Sequence, residues 1–176
     1  MIASRLAKVA LLGASALFFL IVVLNNAVFD YISNYEFVRH VLSMDTVFSG
    51  DAQLWRALPD PTPEDRSYWL HHAFYWSIIA WEITAGVLCA LGAWKLWTKR
   101  HAPAAEFQRA KTLAICGLTL TLLQWFTAFI TVGAEWFLMW QSRTWNGQEA
   151  AGRMFMVFGL ILIFVSMRDD EPEIAG

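Results

Sequence analysis

Apolar positions along this chain gather into four long runs, not into short amphipathic stripes. The runs cover approximately residues 9–29, 68–97, 112–136 and 150–167. About 20 mostly apolar helical residues cross a hydrocarbon core of about 30 Å, so the pattern predicts four spans. The first (VALLGASALFFLIVVLNNAVF) holds no charged side chain and is interrupted only by Asn25 and Asn26 near its far end. Arg5 and Lys8 precede it, as in a secretory leader, but the run exceeds the roughly 7–15 apolar residues of a leader core and no small-x-small site closes it before Asn25. A retained anchor is expected.

The connections differ in kind. Between the second and third runs TKRHAPAAEF is short, and its Pro103 opposes a continuous helix, so those spans should be antiparallel neighbours. Residues 31–67 form a much longer connection. Within it Phe37, Val38, Val41, Leu42 and Met44 recur near helical spacing, which predicts an amphipathic helix capping the bundle. Asp45, Gly50 and Asp51 break this helix, a second short helix is expected over 52–58, and PDPTP ends the segment. The last connection, QSRTWNGQ, turns at Asn146-Gly147, and the acidic, Pro-containing residues 169–176 are expected to fray. The expected fold is therefore all-α, an antiparallel four-helix transmembrane bundle with an amphipathic outer-loop cap, built as a single domain.

Composition agrees with lipid as the solvent. Of 176 residues 57% are hydrophobic and 16% charged, against about 25% charged in soluble domains, and the mean hydropathy is +0.43. A net charge of −2 with interspersed signs offers nucleic acid no basic field. Sorting the cations by connection puts Arg5, Lys8, Lys95, Lys99, Arg100, Arg109, Lys111 and Arg168 on one side and Arg39, Arg56, Arg66, Arg143 and Arg153 on the other. The lysine-bearing side is then the cytoplasmic one, and holds both termini. Trp69, Trp136, Trp140 and Trp145 at one boundary, with Trp94 and Trp97 at the other, fit rings that have an apolar body and a polar N–H.

Few polar residues remain inside the spans. Counting depth along antiparallel helices places Glu82 and Gln124 at the same level near mid-membrane. A carboxylate there is protonated, hydrogen-bonded or turned to a hydrated cavity. An interhelical hydrogen bond is the plain reading, and proton or substrate handling the sharper one. Near the outer boundary Asn25, Asn26, Asp30, Glu135, Glu149 and Arg153 fall at one depth. A network latching the loop to the bundle is expected of them, with a quinone-headgroup pocket as the alternative. His71 and His72 are adjacent on one span and His40 is in the long loop, so two facing helices do not each supply a haem ligand. His40 with His71 or His72 is the weak cofactor candidate, and no metal or catalytic residue is predicted. Cys89 and Cys116, at similar depth, read as small buried thiols. Gly13, Ala14, Ser15, Ala16, Gly86 and Ala90 permit close helix approach.

Three segments, NNAVFDYISNYEFVRHVLSMDTVFSGDAQLWRAL, IIAWE and AEWFLMWQSRTWNGQ, closely resemble a bacterial family of predicted small integral membrane proteins, over nearly the whole chain. The resemblance implies a four-span inner-membrane protein. It directs attention to Asn26, Asp30, Arg39, His40, Asp45, Arg56, Glu82, Glu135, Trp136, Gln141 and Asn146. With no phosphate loop, H-E-x-x-H or nucleophile elbow in the chain, the expected role is an accessory or scaffold subunit that meets lipid, other membrane subunits or copies of itself. A proton-coupled transporter using Glu82 and a haem- or quinone-associated oxidoreductase subunit are the alternatives.

Overall fold

The computed structural model describes residues 2–59 and 68–170. The chain forms α1 (Ile2–Leu24), α2 (Tyr31–Ser43), α3 (Tyr68–Thr98), α4 (Ala104–Ala110), α5 (Thr112–Leu123) and α6 (Gln148–Ser166). Two π-helical segments, Asn25–Phe29 and Gln124–Trp136, continue α1 and α5. No strand occurs among the described residues, so the fold is the all-α bundle that the apolar runs predict. Among the described residues four helices, Ile2–Phe29, Trp69–Thr98, Ala104–Trp136 and Gln148–Ser166, are long and apolar enough to cross a membrane.

The first of these starts at Ile2, not near residue 9, because Arg5 and Lys8 belong to the helix. Its buried residues are Arg5, Lys8, Leu12, Ser15 and Phe19. That alternating spacing of three and four is a packing seam, and the two cations lie on it. Pro103 precedes the first turn of α4, where a missing N–H costs nothing. The predicted amphipathic helix is α2, which ends on Met44 in the left-handed region at φ 52°. The predicted short helix is a 3-10 turn over Asp51–Arg56. Most of PDPTP, Arg66, and the tail beyond Asp170 lie outside the described residues.

The chain divides into two compact units. The first comprises Met1–Val22, Glu82–Leu122 and Met156–Gly176, and the second Val23–Trp81 and Leu123–Phe155. In the first, glycine lets backbones meet. A Cβ on Gly92 would lie 2.7 Å from Ala114 Cα, one on Gly117 2.9 Å from the Cys89 nitrogen, and one on Gly86 2.8 Å from Phe19 Cβ. Gly13, by contrast, faces open space. Phe19 also stacks on Phe158 with centroids 5.8 Å apart.

In the second unit two apolar clusters organise the cap. Tyr35, Tyr75 and Ile79 form one, with Val38 packed against it. Leu42, Met44 and Phe137 form the other. Leu58 N–H donates to the Leu42 carbonyl at 2.9 Å, and Phe137 N–H closes the long π segment on the Val132 carbonyl at 3.0 Å.

Candidate functional site

The end of the first unit that carries the start of α1 holds its densest polar chemistry. Arg5, Lys8 and Lys111 are 0–1% exposed, a placement that requires cations to be paired or hydrogen-bonded; of their donors Arg5 Nε is buried without a partner. Lys8 Nζ donates to Asp169 Oδ2 and to the Met167 carbonyl, each at 2.7 Å. Lys111 Nζ donates to the same two oxygens at 2.6 Å and to Gln108 Oε1 at 2.9 Å, which uses all three of its protons. Ser4 Oγ reaches Asp169 Oδ1 at 3.2 Å.

Arg5 Nη1 donates to the Ala102 carbonyl at 2.6 Å and the Arg100 carbonyl at 3.1 Å, and its Nη2 to the Asp170 carbonyl at 2.9 Å. Its guanidinium lies 4.5 Å above the Phe107 ring, with Lys111 Nζ 5.5 Å from that ring's centroid. The lysines thus cap a carbonyl just past the end of α6, where the helix dipole presents negative charge. Burial alone raises the Asp169 pKa, but the hydrogen bonds and charges of Lys111 and Lys8 outweigh it and hold the carboxyl below its ordinary value. Asp169 and Asp170, expected to fray, are instead the residues that α1 and the start of α5 grip.

The second unit is built from rings. Tyr35 stacks on His72 with centroids 4.3 Å apart, and Tyr31 meets Tyr75 edge-on at 5.2 Å. The Tyr31 hydroxyl lies 2.9 Å from His72 Nδ1. Tyr75 donates to the Asn26 carbonyl at 2.7 Å. His71, fully buried, lies 3.4 Å from Ser43 Oγ. His40 stacks on Trp145 at 4.5 Å, pairs with Asp45 Oδ2 through Nδ1 at 2.6 Å, and has Arg39 Nη2 2.9 Å from Nε2. His40 thus engages Asp45 and Trp145, whereas His71 meets Ser43 and His72 meets Tyr31 and Tyr35. Among the described residues no group of three His, Cys, Asp or Glu is arranged to hold a metal ion.

Two further couplings tie the loop to residues 137–142. Thr46 Oγ1 donates to Ser142 Oγ at 2.8 Å, and Ser49 N–H to Gln141 Oε1 at 3.0 Å. At their edge Trp55 and Trp136 meet edge-on at 5.9 Å, and the Arg56 guanidinium lies over both, 5.3 Å and 5.7 Å from the ring centroids. Arg56 also donates to the Glu135 and Trp136 carbonyls at 3.4 Å and 3.3 Å. Phe48 and Trp140 form a similar pair at 5.8 Å. These rings are 44–72% exposed. A cavity of about 190 Å³, almost wholly apolar, lies within the unit between α2, α3 and the long π segment, with Val41, Phe74, Ile78, Phe129 and Val132 in its wall.

Of the outer polar residues, Glu149 and Arg153 form an exposed i, i+4 pair at 3.5 Å. Asn25 and Asp30 are joined through main-chain atoms, Asp30 N–H donating to the Asn25 carbonyl at 2.9 Å, while the Asp30 carbonyl accepts from Asn34 Nδ2 at 2.8 Å and the Asn26 carbonyl from Tyr75. Glu135 offers its carbonyl to Arg56. Glu82 is 3% exposed and Gln124 fully buried, and each has interaction partners. Cys89 is buried and Cys116 exposed, both as free thiols.

The Arg5–Lys8–Lys111–Asp169 cluster escaped the sequence reading, which counted these cations only for orientation. The signal was their spacing: Arg5 and Lys8 extend the Leu12–Ser15–Phe19 seam, and Lys111 extends that of Ala114, Leu118 and Thr121. A family described as "Predicted small integral membrane protein (DUF2165)" matches residues 4–168, and the chain belongs to it. No curated protein and no solved structure matches the chain.

Proposed function

We propose that this integral membrane protein is a non-catalytic accessory or scaffold subunit, and that the exposed aromatic edge of its second unit is where another membrane protein, or a second copy, docks. One observation carries the reading: Trp55, Trp136 and Arg56 form a preassembled surface cluster, continued by Phe48 and Trp140. Trp and Arg are the residues that concentrate binding energy in protein interfaces, and rings already held by one another lose little freedom on binding. The positive-inside count supports an inner-membrane setting with both termini cytoplasmic, which puts this edge on the outer side.

The test is purification of the full chain in mild detergent, with co-purifying proteins identified and the mass of the complex measured. Trp55→Ala with Trp136→Ala should abolish the association while leaving the helical circular dichroism intact. A wild-type chain that is monomeric and unaccompanied in several mild detergents and in nanodiscs overturns the proposal.

A second reading rests on Glu82, a carboxyl 3% exposed in the middle of a membrane-spanning helix. Intramembrane acids mark proton and substrate paths in many carriers. Proton-dependent flux into liposomes that Glu82→Gln abolishes would favour a carrier over a scaffold. Haem is tested by the visible spectrum of the purified protein, and quinone by organic extraction.

A further inference from the structure

The span Trp69–Thr98 ends and the span Ala104–Trp136 begins within a few residues of each other, and both contribute cations to that end of the first unit. Lys95, Thr98 and Lys99 from α3 and its end, with Glu106, Arg109 and Ala110 from α4, line a cavity of about 360 Å³. Its acid is already engaged: Glu106 takes a 2.8 Å salt bridge from Lys99. Lys95 and Arg109 have no acidic side chain within ion-pair distance among the described residues. Three cations against one carboxylate leave the lining with an excess of positive charge that no other acid among the described residues pairs with.

The surroundings say what would answer it. Trp94 and Trp97 are 66% and 43% exposed on the same end of α3, and Arg100 lies 4.0 Å over the Trp97 ring. Exposed indoles at a span's end fix that end at the level of lipid head groups. Leu91 and Val87, one and two turns along the face that carries Lys95, are exposed by 47% and 52%. They give an apolar track leading from the cations into the hydrocarbon. A free inorganic anion would use the cations and leave that track unused, whereas a phospholipid uses both.

We propose that this cavity binds the head group of an anionic phospholipid, its phosphate held between Lys95 and Arg109 and an acyl chain lying along Leu91 and Val87. Arg109 supplies a fork matched to two phosphate oxygens and Lys95 a point charge. Basic pockets at the ends of adjacent spans hold such lipids. The excess charge selects an anionic head group over a zwitterionic one.

The experiment uses the full chain reconstituted in vesicles of phosphatidylcholine mixed with phosphatidylglycerol, with retained lipid counted by native mass spectrometry. Wild-type protein should retain phosphatidylglycerol preferentially. Lys95→Gln and Arg109→Gln should each cut the preference about fivefold, and the double variant multiplicatively. Arg109→Lys should keep most of it, and Arg153→Gln in the second unit all of it. The substituted side chains are exposed, so thermal unfolding should be unchanged. A double variant with wild-type preference overturns the site. Equal loss in Arg153→Gln also overturns it, by reducing the effect to bulk charge, and displacement of the lipid by inorganic phosphate as readily as by glycerophosphoglycerol reassigns the cavity to a free anion.

Discussion

In the first unit one carboxylate gathers two buried ammonium groups at 2.7 Å and 2.6 Å, while in the second Tyr31, Tyr35, His72 and Tyr75 meet as rings whose nearest centroids are 4.3 Å apart. Both arrangements fasten segments far apart in sequence, but they fail differently. A buried ion cluster is all or nothing, because removing one partner strands the others in a medium that cannot solvate them. Stacked rings lose contact area in proportion to what is deleted. The first unit should therefore be brittle at single positions and the second graded.

The sharpest break is Asp169→Asn, which leaves Lys8 and Lys111 sharing a neutral acceptor. Loss of a buried partner costs about 3–5 kcal/mol, to be read from unfolding in detergent. Acid reaches the same group reversibly. The Asp169 pKa lies below its unfolded value of 3.8, so its stabilisation is complete above that value and lost as pH falls through the folded pKa. Unfolding midpoints of the wild type should drop in that acid window, and those of Asp169→Asn should drop less.

Smaller effects test the packing. Gly92→Ala pushes a methyl to 2.7 Å from backbone and should cost about 1–3 kcal/mol, whereas Gly13→Ala, inside α1 with nothing within 4 Å, should cost nothing and gain up to about 1 kcal/mol. In the second unit Tyr35→Leu removes the stack on His72 while keeping an apolar side chain, for a loss of about 0.5–1.5 kcal/mol beyond burial. Glu149→Gln, at a side chain 86% exposed, should move stability by less than about 0.5 kcal/mol. If Asp169→Asn proves no worse than Tyr35→Leu, the contrast between the units is wrong.

Much of the architecture was legible because lipid imposes length. Four runs of sufficient apolarity had to be helices, and the spacing of Phe37, Val38, Val41 and Leu42 located α2. Less legible were the two π-helical segments. Nothing in the hydrophobic period separates them from α-helix, although the second is dense in aromatic and β-branched residues, from Trp125 to Val132, which favour α-helix less than Ala, Leu or Met do. The left-handed conformations of Met44 and Leu138 were equally hidden, since non-glycine residues adopt them only where tertiary contacts demand it. Charge misled in a third way. Arg5, Lys8 and Lys111 count toward orientation, and that bookkeeping drew attention from the seam on which they sit. Glu82 and Gln124 are buried on such seams too, beside Ile79 and Ala85 and following Thr121.

The Asp169 grip has a consequence for the order of assembly. Lys8 belongs to the Ile2–Phe29 helix and Asp169 follows the Gln148–Ser166 helix, so their bond closes a loop around the two candidate crossings between them. It forms only after all four helices have been delivered with the correct alternation of direction; a chain with one crossing missing would leave the lysine and the aspartate on opposite faces of the membrane. A mis-threaded copy would strand Lys8 and Lys111 away from their carboxylate, which makes it less stable than the correctly threaded chain.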